Sequence, residues 1–320
     1  MKAIICTGYG SPSVLRMQNV EKPEPRFDEV RIQLAASTVG PAHCAFRKGD
    51  PFIVRLIYGL KKPRQPILGT ELAGIVDAVG RDVKQFRVGD RVFGISAATS
   101  GAHAEFKCLP ETRPLAIMPD GMTFAEAAAI CDGTPTALTF LRDKARLKPG
   151  QRVLINGASG AVGLSAVQLA KAFGAEVVGV CSKANAGLVL ANGADAVIDY
   201  AKEDFTRNGN TYDVIFDAVG KRTYRDCKAS LSARGIYLST VPSLSILLAV
   251  LLSSLSRGRK AMFATAGLMQ TKANLHYIIG LYNTGKLRAN IDREYLLEQV
   301  PEAHAYVDTE RKKGNVVVTF

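Results

Sequence analysis

The rhythm of hydrophobic and polar positions changes once along this chain. From Met1 to about Gly121 the apolar residues come in short alternations cut by glycine and proline. Val30-Arg-Ile-Gln-Leu34 alternates with period two, and Gly74-Ile-Val-Asp-Ala-Val-Gly80 and Asp90-Arg-Val-Phe-Gly94 are short runs bounded by turn formers. Period two sends successive side chains to opposite faces of a strand, so this half predicts a β-rich domain with tight turns. Residues 124–146 then change to three- and four-residue spacing, with Ala125, Ala128, Ala129, Leu138 and Leu141 on the repeat, and Pro149-Gly150 closes the segment. That spacing predicts helix.

After Gly150 strands and helices alternate. Val153-Leu-Ile155 predicts a buried strand, Val162–Phe173 a helix stopped by Gly174, and Glu176–Cys181 a second strand. Ala196–Asp199, Val214–Asp217 and Gly235–Leu238 continue the series. Such alternation predicts a parallel, doubly wound sheet, and hence an α/β fold. The tail ends in Asn315-Val-Val-Val-Thr319, which reads as a strand returning to the first domain. The expected organisation is therefore a β-rich domain over 1–123, completed by 286–320, and a doubly wound domain over 124–285.

One segment fits neither rhythm. Leu244–Leu255 is apolar on nearly every side and is followed by Arg257-Gly-Arg-Lys260. It is far short of the ~20 residues a membrane span needs. It reads as a buried helix or as a cap over the substrate cleft; the alternative is a helix lying on a membrane surface, its basic neighbours meeting anionic lipid.

Composition changes this picture little. The 320 residues carry a formal charge of +12. The Lys and Arg are scattered rather than interleaved with aromatics, and Trp is absent, which points away from nucleic acid. Six cysteines at 6, 44, 108, 131, 181 and 227 contain no Cys-x-x-Cys pair, so a structural zinc site is not expected. Reduced thiols and an N-terminus that reads as a strand suggest a cytoplasmic protein.

The chemistry centres on Arg152-Val-Leu-Ile-Asn-Gly-Ala-Ser-Gly-Ala-Val-Gly163, where an apolar run enters small residues and a helix follows. Ala158-x-Gly160-x-x-Gly163 fits the dinucleotide fingerprint with Ala in place of the first Gly. Gly157, Ser159, Gly160, Ala161 and Val162 are the candidate pyrophosphate contacts, at the positive end of a helix dipole. An NAD site wants an acid at the end of the second strand. This chain has Cys181-Ser182-Lys183 there, and a hydroxyl with an ammonium suits the 2′-phosphate of NADPH.

From end to end the chain resembles the medium-chain dehydrogenase/reductase superfamily. The resemblance rests on Gly69-Thr-Glu-Leu-Ala-Gly74, Val88-Gly-Asp-Arg-Val92, Gly133-Thr-Pro-Thr-Ala-Leu138, the Asn156–Gly163 turn and Gly193-Ala-Asp-Ala-Val-Ile-Asp-Tyr200. Within the superfamily it looks most like the zinc-independent quinone oxidoreductase branch. That implies a GroES-like catalytic domain and a Rossmann domain, with Thr136 against the nicotinamide and Tyr200 near the adenosine phosphate. It also places Val219 and Val241 along the cofactor cleft, and implies a homodimer formed through the Rossmann sheet edge.

By the same resemblance, the zinc-ligand positions of the family's alcohol dehydrogenases fall on Gly40, Thr70 and Asp132, with Glu71 behind them, and the four-cysteine lobe is missing. No metal is expected, and the adjacent His43 and Cys44 are expected in a pocket wall. The branch's Asn and Tyr positions hold Gly40 and Ala45, which leaves Thr70, His43 and Tyr58 as candidate proton donors beside water. Without a Lewis acid, an acceptor must spread the hydride's charge itself. The expected activity is NADPH-dependent reduction of small-molecule quinones or α,β-unsaturated carbonyls. Alternatives are an alcohol dehydrogenase with altered zinc ligands, and a non-catalytic NADPH-binding sensor or membrane-associated protein.

Overall fold

A computed structural model describes residues 1–266 and 270–320. The chain forms two units: Met1–Asp132 with Gln270–Asn283 and Arg288–Phe320, and Gly133–Met269 with Thr284–Leu287.

The first unit begins with β1 (Lys2–Cys6), β2 (Leu15–Asn19), β3 (Glu29–Thr38), α1 (Pro41–Lys48) and α2 (Ile53–Tyr58). It continues with β4 (Glu71–Val79), β5 (Arg91–Ile95), β6 (Phe106–Pro110), β7 (Leu115–Ile117) and α3 (Phe124–Cys131). The second contains α4 (Thr134–Leu138), β8 (Arg152–Asn156), α5 (Ala161–Ala172), β9 (Glu176–Cys181), α6 (Ala186–Ala191), β10 (Ala196–Asp199) and β11 (Tyr212–Asp217). It ends with α7 (Tyr224–Cys227), β12 (Leu231–Ser239), α8 (Leu244–Ser254) and β13 (Lys260–Phe263). The chain then returns to the first unit with α9 (Lys272–Asn283), β14 (Ile291–Leu296), α10 (Val300–Asp308) and β15 (Asn315–Thr319).

In the first unit the order β14-β15-β3-β4-β5-β7 makes one sheet, and β6 also pairs with β3. Val30, Ile32 and Leu34 of the alternating segment are buried, while Gln33 between them is exposed. Beyond Leu34 the pairing with β4 shifts register, and Ala36, Ser37 and Thr38 are all buried. This shift carries polar groups inside at the C-terminal end of β3. The tail strand β15 pairs antiparallel with β3, Val317 opposite Thr38.

α3 is part of this unit, whereas the sequence places a boundary at 123/124. Thr123 caps it, accepting from the Glu126 amide. Ala127, Ala128 and Ala129 are all buried, so the helix lies close on β3, β4, β5 and β15. A run of alanines suits a helix pressed flat against a sheet, which a helical repeat alone does not assign to either domain. The crossing comes at Gly133, where φ is +93°.

In the second unit the six strands are parallel in the order β10-β9-β8-β11-β12-β13. Val153, Leu154, Ile155, Val177, Val178, Val214, Ile215 and Phe216 are buried. Continuous apolar runs are what a sheet covered on both faces demands. Chain progression reverses between β8 and β11, the switch point at which doubly wound sheets place ligands. The expected buried helix at 244–255 is corrected. Ile246 and Ser253 face inward, but Leu244, Leu251, Leu252 and Leu255 are 63–85% exposed. A helix apolar on all sides can bury only the stripe that meets the sheet.

Candidate active site

On the second unit, the predicted nucleotide contacts gather at the C-terminal ends of the parallel strands. β8 ends at Asn156, and α5 starts at Ala161 with Gly160 as N-cap and no side chain capping it. The first amides of α5 therefore have no partner within the helix. A Cβ built on Gly160 comes no nearer than 3.7 Å to the Gly157 carbonyl oxygen and otherwise meets open space. On Gly163 it would lie 2.1 Å from that same oxygen. The two glycines thus differ in role: Gly163 lets α5 pack on the turn, and Gly160 keeps space free in front of the helix. Such a cradle fits a pyrophosphate.

The remaining positions follow from strand register. Asp199 of β10 lies opposite Cys181 of β9, so Tyr200 and Ser182-Lys183 leave the sheet side by side. Lys183 and Tyr200 are exposed. The nearby acid Asp199 accepts from the Ala201 amide at 3.1 Å within its own turn. Val219 and Val241, both partly exposed, follow β11 and β12. Thr136 lies on α4, which packs on α5; a Cβ on Gly133 at its start would sit 2.8 Å from the Val162 nitrogen.

Some organisers of this edge are invisible as motifs. Asp217, fully buried at the end of β11, accepts from Asn156 Nδ2 at 3.0 Å and from the amides of Gly220 and Arg222 at 2.9 Å. It shapes the loop carrying Val219. Burial, and then the Asp217 charge, hold the Tyr237 phenol well above its ordinary range. Asn185 Nδ2 donates to Ser159 Oγ at 3.1 Å, fixing one residue of the turn. The one available signal is that Asn156 and Asp217 are polar residues closing apolar runs.

On the first unit a buried polar network forms at the end of β3. The Gly40 amide donates to His43 Nδ1 at 3.0 Å, which turns Nε2 toward Thr70. Nε2 lies 2.8 Å from Thr70 Oγ1 and 3.4 Å from Glu71 Oε2. The Thr70 and Thr38 hydroxyls reach Glu71 Oε1 and Oε2 at 2.7 and 2.8 Å. Burial pushes the Glu71 carboxyl above its usual range; His43 pulls it down and Asp132 pushes it further up. Asp132 is close by, since a Cβ on Gly40 would lie 3.4 Å from its Oδ1. Burial lowers the Lys312 ammonium, while Asp132 favours its charge; neither Thr38 nor Lys312 stands out in the sequence.

The structure separates the other candidates. Cys44 follows His43 on α1 but faces His304, Sγ to Nδ1 3.4 Å, and burial raises its thiol to about 12. It is not part of a wall shared with His43. The Tyr58 ring packs on Phe46 with centroids 4.5 Å apart. Among the described residues no hydrogen bond joins its hydroxyl to the network.

The alcohol dehydrogenase GroES-like domain family matches residues 26–132, and the zinc-binding dehydrogenase family matches 192–318. The quinone oxidoreductase of Pseudomonas aeruginosa is 31% identical over 99% of this chain and 99% of its own. The chain belongs to the medium-chain dehydrogenase/reductase superfamily, in its quinone oxidoreductase-like branch. The 2-methylene-furan-3-one reductase of tomato (Solanum lycopersicum) is 30% identical over 99% of this chain and 79% of its own. The quinone oxidoreductase of Escherichia coli, solved in complex with NADPH, superposes with a TM-score of 0.85 at 26% identity, covering all of both chains.

The three positions that the resemblance aligns with zinc ligands do come together here. Gly40 adjoins Asp132 and its amide meets His43, which meets Thr70. Two of the three carry no metal-binding side chain. Both His43 nitrogens already face partners. Among the described residues no three His, Cys, Asp or Glu side chains are grouped as a metal site.

Proposed function

We propose that this protein is an NADPH-dependent reductase of quinones or α,β-unsaturated carbonyl compounds that works without zinc. One observation on each unit carries the reading: the second has an open nucleotide cradle, and the first has a hydroxyl network at the position that the resemblance assigns to zinc. The E. coli relative's NADPH and the names of the bacterial and tomato relatives support it. The second unit would hold the cofactor through the Gly160–Val162 turn and α5, with Ser182 and Lys183 receiving the 2′-phosphate. Val219, Val241, Thr136 and Tyr200 would complete the cofactor site. Bound there, NADPH supplies a hydride.

The chain's own chemistry is then proton delivery. Thr70 Oγ1 is bonded on one side to the His43 imidazole and on the other to a carboxyl whose protonated form is favoured by burial. Its hydroxyl can give a proton to an enolate and take one back from Glu71, which returns to the carboxylate held by Thr38 and His43. Zinc does not fit, because Gly40 and Thr70 supply neither thiolate nor imidazole, and the nearby Cys44 stays a thiol.

The test is the regiochemistry of transfer. With an α,β-unsaturated ketone and NADPH carrying deuterium on the reacting face, we expect deuterium at the β-carbon and a solvent-derived hydrogen at the α-carbon. Deuterium at the carbonyl carbon, giving the allylic alcohol, would overturn the reading in favour of alcohol dehydrogenase chemistry.

A further inference from the structure

The leucine face of α8 is unexplained by anything at the nucleotide edge or in the first unit. Leu244, Leu247, Leu248, Leu251, Leu252 and Leu255 recur at three- and four-residue spacing and are all at least half exposed. Periodicity of this kind normally marks the buried stripe of a helix. Here the inward stripe is a different one, Ile246, Ala249, Val250 and Ser253. Contiguous exposed apolar surface of this sort marks an interaction site.

The surroundings state the charge of the partner. Beside the leucines runs a groove of about 980 Å³ whose lining includes Leu248 and Leu252 together with Arg225, Lys228 and Arg259. Arg225, Lys228 and Arg257 are exposed. The acid on α7, Asp226, is drawn back by the Thr223 hydroxyl at 2.7 Å and amide at 3.0 Å. Lys260 holds the end of the helix in place, donating to the Ser253 and Ser254 carbonyls at 2.8 and 3.0 Å. Apolar residues flanked by cations that form no salt bridge among the described residues complement a surface that is oily beneath and anionic above. A second copy fits worse: a two-fold contact through this face would set cations against the same cations. At 11 residues, about 16 Å, α8 is too short to cross a bilayer, and no described helix is long and apolar enough to do so.

We propose that α8 and its basic border form a peripheral docking surface for an anionic lipid bilayer. The leucines enter the headgroup boundary, and Arg225, Lys228 and Arg257 meet lipid phosphates. This holds whatever the hydride acceptor is.

The experiment is co-sedimentation of the full chain with vesicles of phosphatidylcholine alone, or with phosphatidylglycerol added, at low and high salt. The expected result is at least ~10-fold more bound protein on anionic vesicles at low salt, reduced at high salt. Leu248→Asp/Leu252→Asp and Arg225→Glu/Lys228→Glu should each abolish the excess while quinone turnover stays unchanged. The charge variant alters only exposed positions, so it decides the matter even if the leucine variant does not fold. Equal binding to both vesicle types, or undiminished binding by the charge variant, would overturn the proposal. So would halving of the solution mass by Leu248→Asp/Leu252→Asp, which would assign the face to a second copy.

Discussion

At the scale of single residues, the central assignment is Thr70. Its hydroxyl lies 2.8 Å from His43 Nε2 and 2.7 Å from Glu71 Oε1. Hydride addition to an enone leaves an enolate that must be protonated on carbon, whereas a quinone gives a hydroquinone anion that water can protonate. Thr70→Val should therefore lower kcat for an enone by about 10²-fold, the usual scale of a positioned acid, and for a quinone far less. Thr70→Ser should restore the enone rate; steady-state kinetics on both substrates checks this, and equal losses would remove Thr70 from proton delivery. The sequence places Thr70 and His43 among the candidates but cannot pair them. Thr70 lies just before β4 and His43 on α1, and their meeting depends on the Gly40 amide orienting the ring. Tyr58, equally plausible by sequence, packs on Phe46 instead.

At the scale of elements, the strand–turn–helix around Gly160 is the most legible part of the chain, since its glycines do local work. The two glycines predict opposite failures. Gly163→Ala places a Cβ 2.1 Å from backbone that cannot yield, and should destabilise the protein by several degrees in a thermal melt. Gly160→Ala meets no protein atom closer than 3.7 Å, and should melt like wild type while binding NADPH at least ~10-fold more weakly by fluorescence titration. If both variants melted and bound alike, the division of roles would be wrong. Other elements were less readable. α8 has apolar residues on every side, so its pattern cannot say which stripe meets the sheet. α3 has a clear helical repeat, but its allegiance is decided by the fit of small side chains to the first sheet.

At the scale of the whole molecule, the interior of the first unit makes stability depend on pH. His103 and His304 are fully buried with ring centroids 5.9 Å apart. Burial, reinforced by His43, lowers His103 from 6.5 to about 3, and burial also lowers His304. Unfolded, these rings bind protons below about pH 6.5, and folded they do not. Stability from them is thus complete above that pH and is lost as pH falls toward 3, on the order of a few kcal/mol. The urea midpoint should fall between pH 6.5 and 4, and His103→Gln, which keeps a donor for the Thr38 carbonyl, should flatten that fall. A wild-type midpoint constant across the window would contradict it.

The direct measurement is oxidation of NADPH, with NADH alongside, by the purified protein across quinones, α,β-unsaturated carbonyls and unconjugated ketones. The expected result is turnover with conjugated acceptors, an NADPH preference of about tenfold or more, and no turnover with unconjugated ketones. Turnover confined to unconjugated ketones, or a preference for NADH, would contradict it.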